Sequence, residues 1–439
     1  MTIPTTVVST LPTNPDFGAN FSFARLTREK VTYANHGLHK YPAKFIPQLP
    51  RWALEYDDET PARVVLDPFC GSGTTLVEVG LKGGKAIGVD ISPLACIISR
   101  AKCAIMQLDE HSIDDLLARI VVHARKNQPS IAKILSGSVG KTCLGMHFTW
   151  ANWFDSQRLS GLLALRDAIN EIHPNEPTRQ FSLAVLSAIT KSCSSLSEDQ
   201  IKVRFDPDKN LADPYEAFSI AFKRGALSQR ELSTQYLRAG AEFEIQTGSA
   251  TELPFASASI DRVITSPPYI NAIDYTMAHK YNMFVLGALM PEMFKDHCRE
   301  YIGVTERAVR SIDMQQIPDC SDPTARAVVD LLVAQGTSTS RNRAYVVAQY
   351  FSEMTKAMQE GHRVLIDDGL YFLVVGETNR ICGVTIRTGE ILEQIANSVG
   401  FETERNFFHV MANRSSMRLN RSQTGGSISR EQVYAFRKR

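Results

Sequence analysis

Several absences narrow what this 439-residue chain can be. Its eight cysteines are scattered and no two stand as C-x-x-C, which argues against a zinc site or a disulfide framework and fits a reducing compartment. No stretch approaches the roughly 18 uninterrupted apolar residues of a membrane span. The opening residues, MTIPTTVVST, carry no basic region followed by an apolar one. A soluble, cytoplasmic protein with no membrane and no metal is the expectation. Charge of one sign is also missing: 48 basic residues stand against 47 acidic, a net +1. Any surface for nucleic acid must therefore be local. No internal repeat of fixed period occurs. What remains is an ordinary globular composition, 44% hydrophobic and 22% charged, long enough for two or three domain-sized units.

The first unit with a clear rhythm is ARVVLDPFCGSGTTLVEVGLKGGKAIGVDISPLA, residues 62–95. An apolar run, a glycine turn, an amphipathic stretch ended by Gly83-Gly84 and a second run closed by Asp90 read as strand–loop–helix–strand. That pattern predicts a parallel, doubly wound sheet. The loop has lookalikes to be separated from. It lacks the third glycine of G-x-G-x-x-G, the Gly-Lys-Ser/Thr of a Walker loop and the spacing of a G-x-S-x-G elbow. Instead an acid, Asp67, stands at its entrance and a second acid, Asp90, closes the next strand. An acid suits a ligand with positive charge and no pyrophosphate, and S-adenosylmethionine, with its sulfonium and ammonium groups, is of that kind. Asp90 is placed to accept from ribose hydroxyls.

Further along, EFEIQTGSA (242–250), DRVITSPPY (261–269) and GLYFLVVGE (369–377) read as strands. ETERNFFHV and EQVYAFRKR are the expected final strands, after helices over 345–369 and 389–401. The adjacent prolines of SPPY cannot continue a central strand, so the chain is held rigidly where that strand stops. Four units are expected. Residues 1–35 form an N-terminal arm. Residues 36–103 hold a closing element and the first half of the sheet. Residues 104–240, too long for a loop, are a helical insertion with a possible DNA-contacting role. Residues 241–439 complete the sheet, with an irregular segment at about 291–344 and a basic C-terminal region.

These motifs, in this order, resemble the amino-group DNA methyltransferases, which act on N4 of cytosine or N6 of adenine. DPFCGSGTT is similar to the family's cofactor loop, GVDISPLA to the strand end that follows it, and TSPPY to its catalytic [S/D/N]-P-P-[Y/F/W] motif. HGLHKYPAKFIPQLPRWAL (36–54) resembles the element closing over the methionine end of the cofactor, RVLIDDGLYFLVVGE (363–377) a later helix–strand unit and NAIDYTMAHKYNMFVLG (271–287) the helix after the catalytic motif. The resemblance implies the class I S-adenosylmethionine-dependent methyltransferase fold, carrying a helical insertion and target-recognition segments. It implies a cofactor site of His39, Tyr41, Lys44, Asp67, Pro68, Phe69, Gly71, Ser72, Gly73, Thr74, Asp90, Ile91, Ser249 and Ala250, and a catalytic set of Ser266, Pro267, Pro268 and Tyr269. One departure stands out: where the family often has an acid in a GDA turn, this chain has Ser249.

The catalytic motif suits the chemistry. An exocyclic amine is a weak nucleophile because its lone pair is conjugated into the ring. The Ser266 hydroxyl and the Pro267 carbonyl can accept both amine hydrogens, and Tyr269 offers a stacking face for an extruded base. A cytosine-C5 enzyme would need a Pro-Cys nucleophile, and the chain has none. Ser at the first position leans to cytosine N4 by family habit, with adenine N6 as the alternative. An RNA amine methyltransferase ranks lower, since only about 35 residues precede the closing element. A catalytically silent binding module ranks lower still, because the motifs are intact. Double-stranded DNA is the expected partner, with a cognate restriction endonuclease beside it. Arg341, Arg343, Arg414, Arg418 and Arg421 are the candidate phosphate contacts.

Overall fold

The fold was obtained as a computed structural model. It describes residues 5–24, 26, 32–42, 46–57, 62–130, 153–197, 203–270, 275–289, 293–303, 317–411 and 429–439. Five parallel strands form its centre: β3 (Val64–Asp67), β4 (Lys85–Asp90), β5 (Glu242–Thr247), β6 (Ile260–Thr265) and β7 (Leu365–Gly376). Beyond β7 come β11 (Arg430–Lys438), β10 (Phe401–Val410), β2 (Ala19–Ser22) and β1 (Thr5–Val7). The order is β1-β2-β10-β11-β7-β6-β3-β4-β5, and β11 runs antiparallel between β7 and β10. A doubly wound parallel sheet with one reversed strand at this place is the class I methyltransferase arrangement.

Alternation along the strands divides the core between the two faces. Leu66, Val263 and Leu373 face α11 (Ser338–Val364) and α12 (Thr388–Val399). Val65, Ile264 and Phe372 face the other way, onto Trp52 of α1 (Gln48–Glu55). Three strand–helix connections carry the first half: α2 (Thr74–Lys82), α3 (Pro93–Cys103) and, leading to β5, the helical insertion.

The insertion is helical as expected: α4 (Glu110–Lys126), α5 (Ser156–Ile172), α6 (Glu176–Thr190) and α7 (Pro214–Ala239). Asp109, Asp155, Asn175 and Asp213 each accept backbone N–H bonds at the helix starts, which explains where these helices begin. Their apolar faces share one core with Ile97 and Ile98 of α3 and with Phe284 of α8 (Tyr275–Leu286). The insertion is thus a layer laid on the methyltransferase sheet.

Three expectations differ from the structure. Residues read as an arm contribute β2, whose Phe21 packs edge-on against Phe407 and pairs the segment with β10. The helix expected to run to residue 369 stops at Val364, and Leu365 already begins β7, where it pairs with Ile260 of β6. The irregular segment contains α9 (Phe294–Arg299) and α10 (Pro323–Ala334), the latter capped by Asp322 with Pro at its first position.

Candidate active site

The sheet order reverses between β3 and β6, with β4 and β5 on one side and β7 on the other. Such a switch point opens a crevice beyond the carboxyl ends of the strands. A cavity lies there, and each strand end contributes to it: Gly71 and Ser72 after β3, Asp90 and Ile91 at β4, Ser249 and Ala250 after β5, Ser266 and Pro268 after β6. Pro68, Phe69 and Thr74 complete the glycine-loop wall.

The glycine loop is shaped by two left-handed residues, Gly71 at φ 51° and Gly73 at φ 75°. Gly71 N–H donates to Asp90 Oδ2 at 2.8 Å, and Ser99 Oγ donates to Gly71 O at 2.9 Å. A Cβ on Gly73 would lie 2.9 Å from Ser99 Oγ, so this glycine lets α3 pack against the loop. Gly73 does not itself line the cavity.

The two acids occupy different places. Asp90 is on the lining; its Oδ1 accepts from Ser92 N–H as its Oδ2 does from Gly71. Each oxygen keeps a lone pair for a ligand. Asp67 is folded behind the loop and is only 1% exposed. Its Oδ1 accepts from Phe69 N–H at 3.1 Å and from Thr265 Oγ1 at 2.7 Å, while Oδ2 is buried with no hydrogen-bond partner among the described residues. Burial pushes both carboxyls up to about 6. The expectation of Asp67 at the loop entrance therefore changes: its charge acts from underneath, and it ties the loop to the residue preceding the catalytic motif.

Ser266 and Pro268 line the cavity, whereas Pro267 is buried beside it. Tyr269 is half-buried, and its hydroxyl donates to Glu431 Oε1 at 2.7 Å. Burial, and then the Glu431 carboxylate, push this phenol well above its ordinary range. Ser249 Oγ accepts from Thr251 N–H and meets Thr251 Oγ1 at 2.8 Å, so it serves its own turn while facing the cavity.

The closing element is stapled in two directions. His36 Nε2 lies 2.8 Å from Glu78 Oε1 on α2, and Arg51 and Tyr33 also meet this buried carboxylate. His39 Nε2 lies 2.9 Å from Ser187 Oγ on α6, and its Nδ1 faces Lys40 O. His39 is thus turned to the insertion and away from the cavity. Tyr41 enters the cavity wall, 4.6 Å ring to ring from His279 and stacked with Tyr275 at 6.5 Å. Burial holds His279 down at about 3, so the imidazole there is neutral. Lys44 lies outside the described residues.

Comparison with known proteins adds to this geometry. A family model described as DNA methylase, of the N6/N4 type, matches residues 14–100. The chain is 24% identical over 408 residues to the Type II methyltransferase M.MvaI of Kocuria varians, covering 86% of this chain and 84% of that protein. The chain is thus similar to the DNA methylases of the N6/N4 type. Two shorter likenesses accompany that one. The Type II methyltransferase M.MjaII of Methanocaldococcus jannaschii is 41% identical over 83 residues, 19% of this chain and 16% of that one. The tRNA (guanine(10)-N2)-dimethyltransferase of the same organism is 34% identical over 85 residues, 19% of this chain and 23% of that one.

S-adenosylmethionine is the cofactor that methylases of this kind use, and the cavity fits that group. Among the described lining residues the charged ones are Asp90 and Glu300, both acidic, which favours a cationic ligand and disfavours a pyrophosphate. Ser72 Oγ is buried on the lining with no hydrogen-bond partner among the described residues, a donor left for a ligand.

Further residues, outside the candidate set, stand on this wall. Pro42, Tyr275, Glu300, Tyr301 and Ile302 also line the cavity. The last three come from the segment expected to recognise the target, and only the chain's return past α9 puts them there. Of the candidate phosphate contacts, Arg341 is exposed near the start of α11, and Arg343 is half-buried on the same turn. Because α11 leads into β7, its N-terminal end lies at the edge of the sheet that carries Ser266. Arg414, Arg418 and Arg421 lie outside the described residues. Among the described residues no helix is long and apolar enough to cross a membrane, and no cluster of three metal-ligating side chains occurs.

Proposed function

We propose that this methylase transfers a methyl group to the exocyclic N4 amine of cytosine within a specific site of double-stranded DNA. The observation carrying the reading is that Ser266 and Pro268 open into the same cavity as the glycine loop and Asp90. Tyr41, Ser72, Asp90, Ile91 and Ser249 would hold S-adenosylmethionine, which when bound supplies a sulfonium-activated methyl group. Ser266 Oγ and the Pro267 carbonyl accept the two amine hydrogens and draw the nitrogen lone pair out of ring conjugation. The proline pair fixes the direction of those acceptors, and positioning of this kind is worth up to about 7–11 kcal/mol in well-oriented systems. Tyr269 offers the face on which the base, swung out of the duplex, is stacked. Cytosine is preferred over adenine because the motif begins with Ser266.

The designation of M.MvaI as a Type II methyltransferase supports a place in a restriction–modification system, with a cognate endonuclease as partner and the cytoplasm as location. The likeness to a tRNA methylase covers a fifth of the chain, whereas the DNA methylase likeness covers most of it. DNA is therefore the substrate tested first. Exposing varied unmethylated DNA to the protein and labelled S-adenosylmethionine, then digesting to nucleosides for mass spectrometry, is expected to yield 4-methylcytosine. Finding 6-methyladenine overturns the choice of base. Label in RNA and none in DNA overturns the choice of substrate.

A further inference from the structure

Beside the cofactor cavity runs a buried hydrogen-bonded chain that no motif announces. Tyr269 Oη donates to Glu431 Oε1 at 2.7 Å, and Glu431 Oε2 lies 2.8 Å from His409 Nδ1. His409 and Glu431 are direct register partners on β10 and β11, and both side chains are 8% exposed. The ring of Phe23, 5.5 Å from the imidazole, covers it from the β2 side. A buried carboxylate is costly unless it is paired and hydrogen-bonded. Here its partners include His409 and the phenol of the catalytic motif.

The Tyr269 ring is therefore held at both ends. Its Cβ hangs from a backbone stiffened by two prolines, and its hydroxyl is fixed to a strand 162 positions away. A phenylalanine would present the same face with one attachment only, and a ring free to swing must be ordered each time a base stacks on it. We infer that Glu431, backed by His409, is a positioning residue that sets the tilt of the Tyr269 ring for base stacking. The inference rests on the stacking role proposed above.

Three measurements on the full chain test it: methylation kinetics on DNA, S-adenosylmethionine affinity by calorimetry, and fluorine NMR of 3-fluorotyrosine-labelled protein. In the last, Tyr269→Phe identifies the Tyr269 signal. Tyr269→Phe and Glu431→Leu are each expected to lower kcat about tenfold, the scale of one hydrogen bond to a charged group, with cofactor affinity unchanged. The double variant should be no worse than Glu431→Leu alone, since both singles remove the same Tyr269–Glu431 bond. Glu431→Gln keeps an acceptor and should restore most of the activity. Glu431→Leu should also sharpen and shift the Tyr269 fluorine signal. If the single losses multiply in the double variant, if Tyr269→Phe equals wild type, or if Glu431→Gln is as poor as Glu431→Leu, the inference is wrong. Should Glu431→Leu not fold, Tyr269→Phe and Glu431→Gln decide alone. Wild-type protein that methylates no DNA overturns the functional reading instead, and the fluorine signal, which reports the tether without any reaction, tells the two failures apart.

Discussion

The two walls of the cavity are built on different scales. On the glycine-loop side, the contacts that shape the turn are local: Gly71 to Asp90, Ser99 to Gly71, Gly73 against Ser99. On the Ser-Pro-Pro-Tyr side the contacts are distant. Thr265 reaches back 198 positions to Asp67, and Tyr269 reaches forward 162 positions to Glu431. A phosphate-free cofactor loop is a local device, encoded in contiguous spacing. A platform for a base is a global one, closed only when the last two strands insert between β7 and β2.

Breaking each wall separately sharpens this contrast. Ser266→Ala removes the group proposed to meet the reacting amine and should lower kcat by about 10²–10³ while leaving cofactor affinity intact, read by label incorporation and calorimetry. Weaker binding in step with the lost rate would erase the distinction between the walls. Gly73→Ala attacks the local wall. It forces a side chain into a left-handed site against Ser99, which should cost roughly 1–3 kcal/mol in thermal denaturation and weaken S-adenosylmethionine binding.

Thr265→Val tests the single bond joining the walls. Losing it leaves the Asp67 carboxylate less satisfied, at a cost of about 1–3 kcal/mol, and raises its pKa further. Cofactor binding at pH 7 should weaken and recover at higher pH.

Protonation gives a gentler handle on the local wall. Burial raises Asp67 and Asp90 from an ordinary 3.8 to about 6. With folded-state values raised, the stability these groups contribute is fully present below about pH 4 and is lost as pH rises through about 6. A cationic ligand favours the ionised acids, so S-adenosylmethionine should bind more tightly at pH 7.5 than at pH 5. Equal dissociation constants at the two pH values would remove the acids from cofactor binding. The smallest effect is expected at the rim: Arg341→Ala should weaken DNA binding by less than about tenfold and reduce the salt slope by about 1.

The sequence made the local wall legible down to individual residues, because strand, glycine turn and helix follow one another within about thirty positions. Gly71, Ser72, Asp90, Ile91, Ser249 and Ser266 all stand on the cavity. It misdirected attention at His39, whose neighbours in sequence enter the cavity while its own ring is spent on Ser187. Asp67 sits one residue from the lining, yet two backbone and hydroxyl donors turn it inward. Glu300, Tyr301 and Ile302 belong to a stretch with no motif spacing, so nothing in their order marked them, whereas Tyr275 stands in the helix read after the Ser-Pro-Pro-Tyr turn.

By itself the sequence determined the parallel sheet, the glycine loop and the rigid Ser-Pro-Pro-Tyr turn at a strand end, because each depends on residues that are neighbours along the chain. Tertiary structure alone decided which acid faces the ligand and what holds the tyrosine. Those outcomes depend on which buried donors meet a carboxylate, and the deciding donors, Thr265 and Tyr269, stand 198 and 162 positions from the carboxylates they reach.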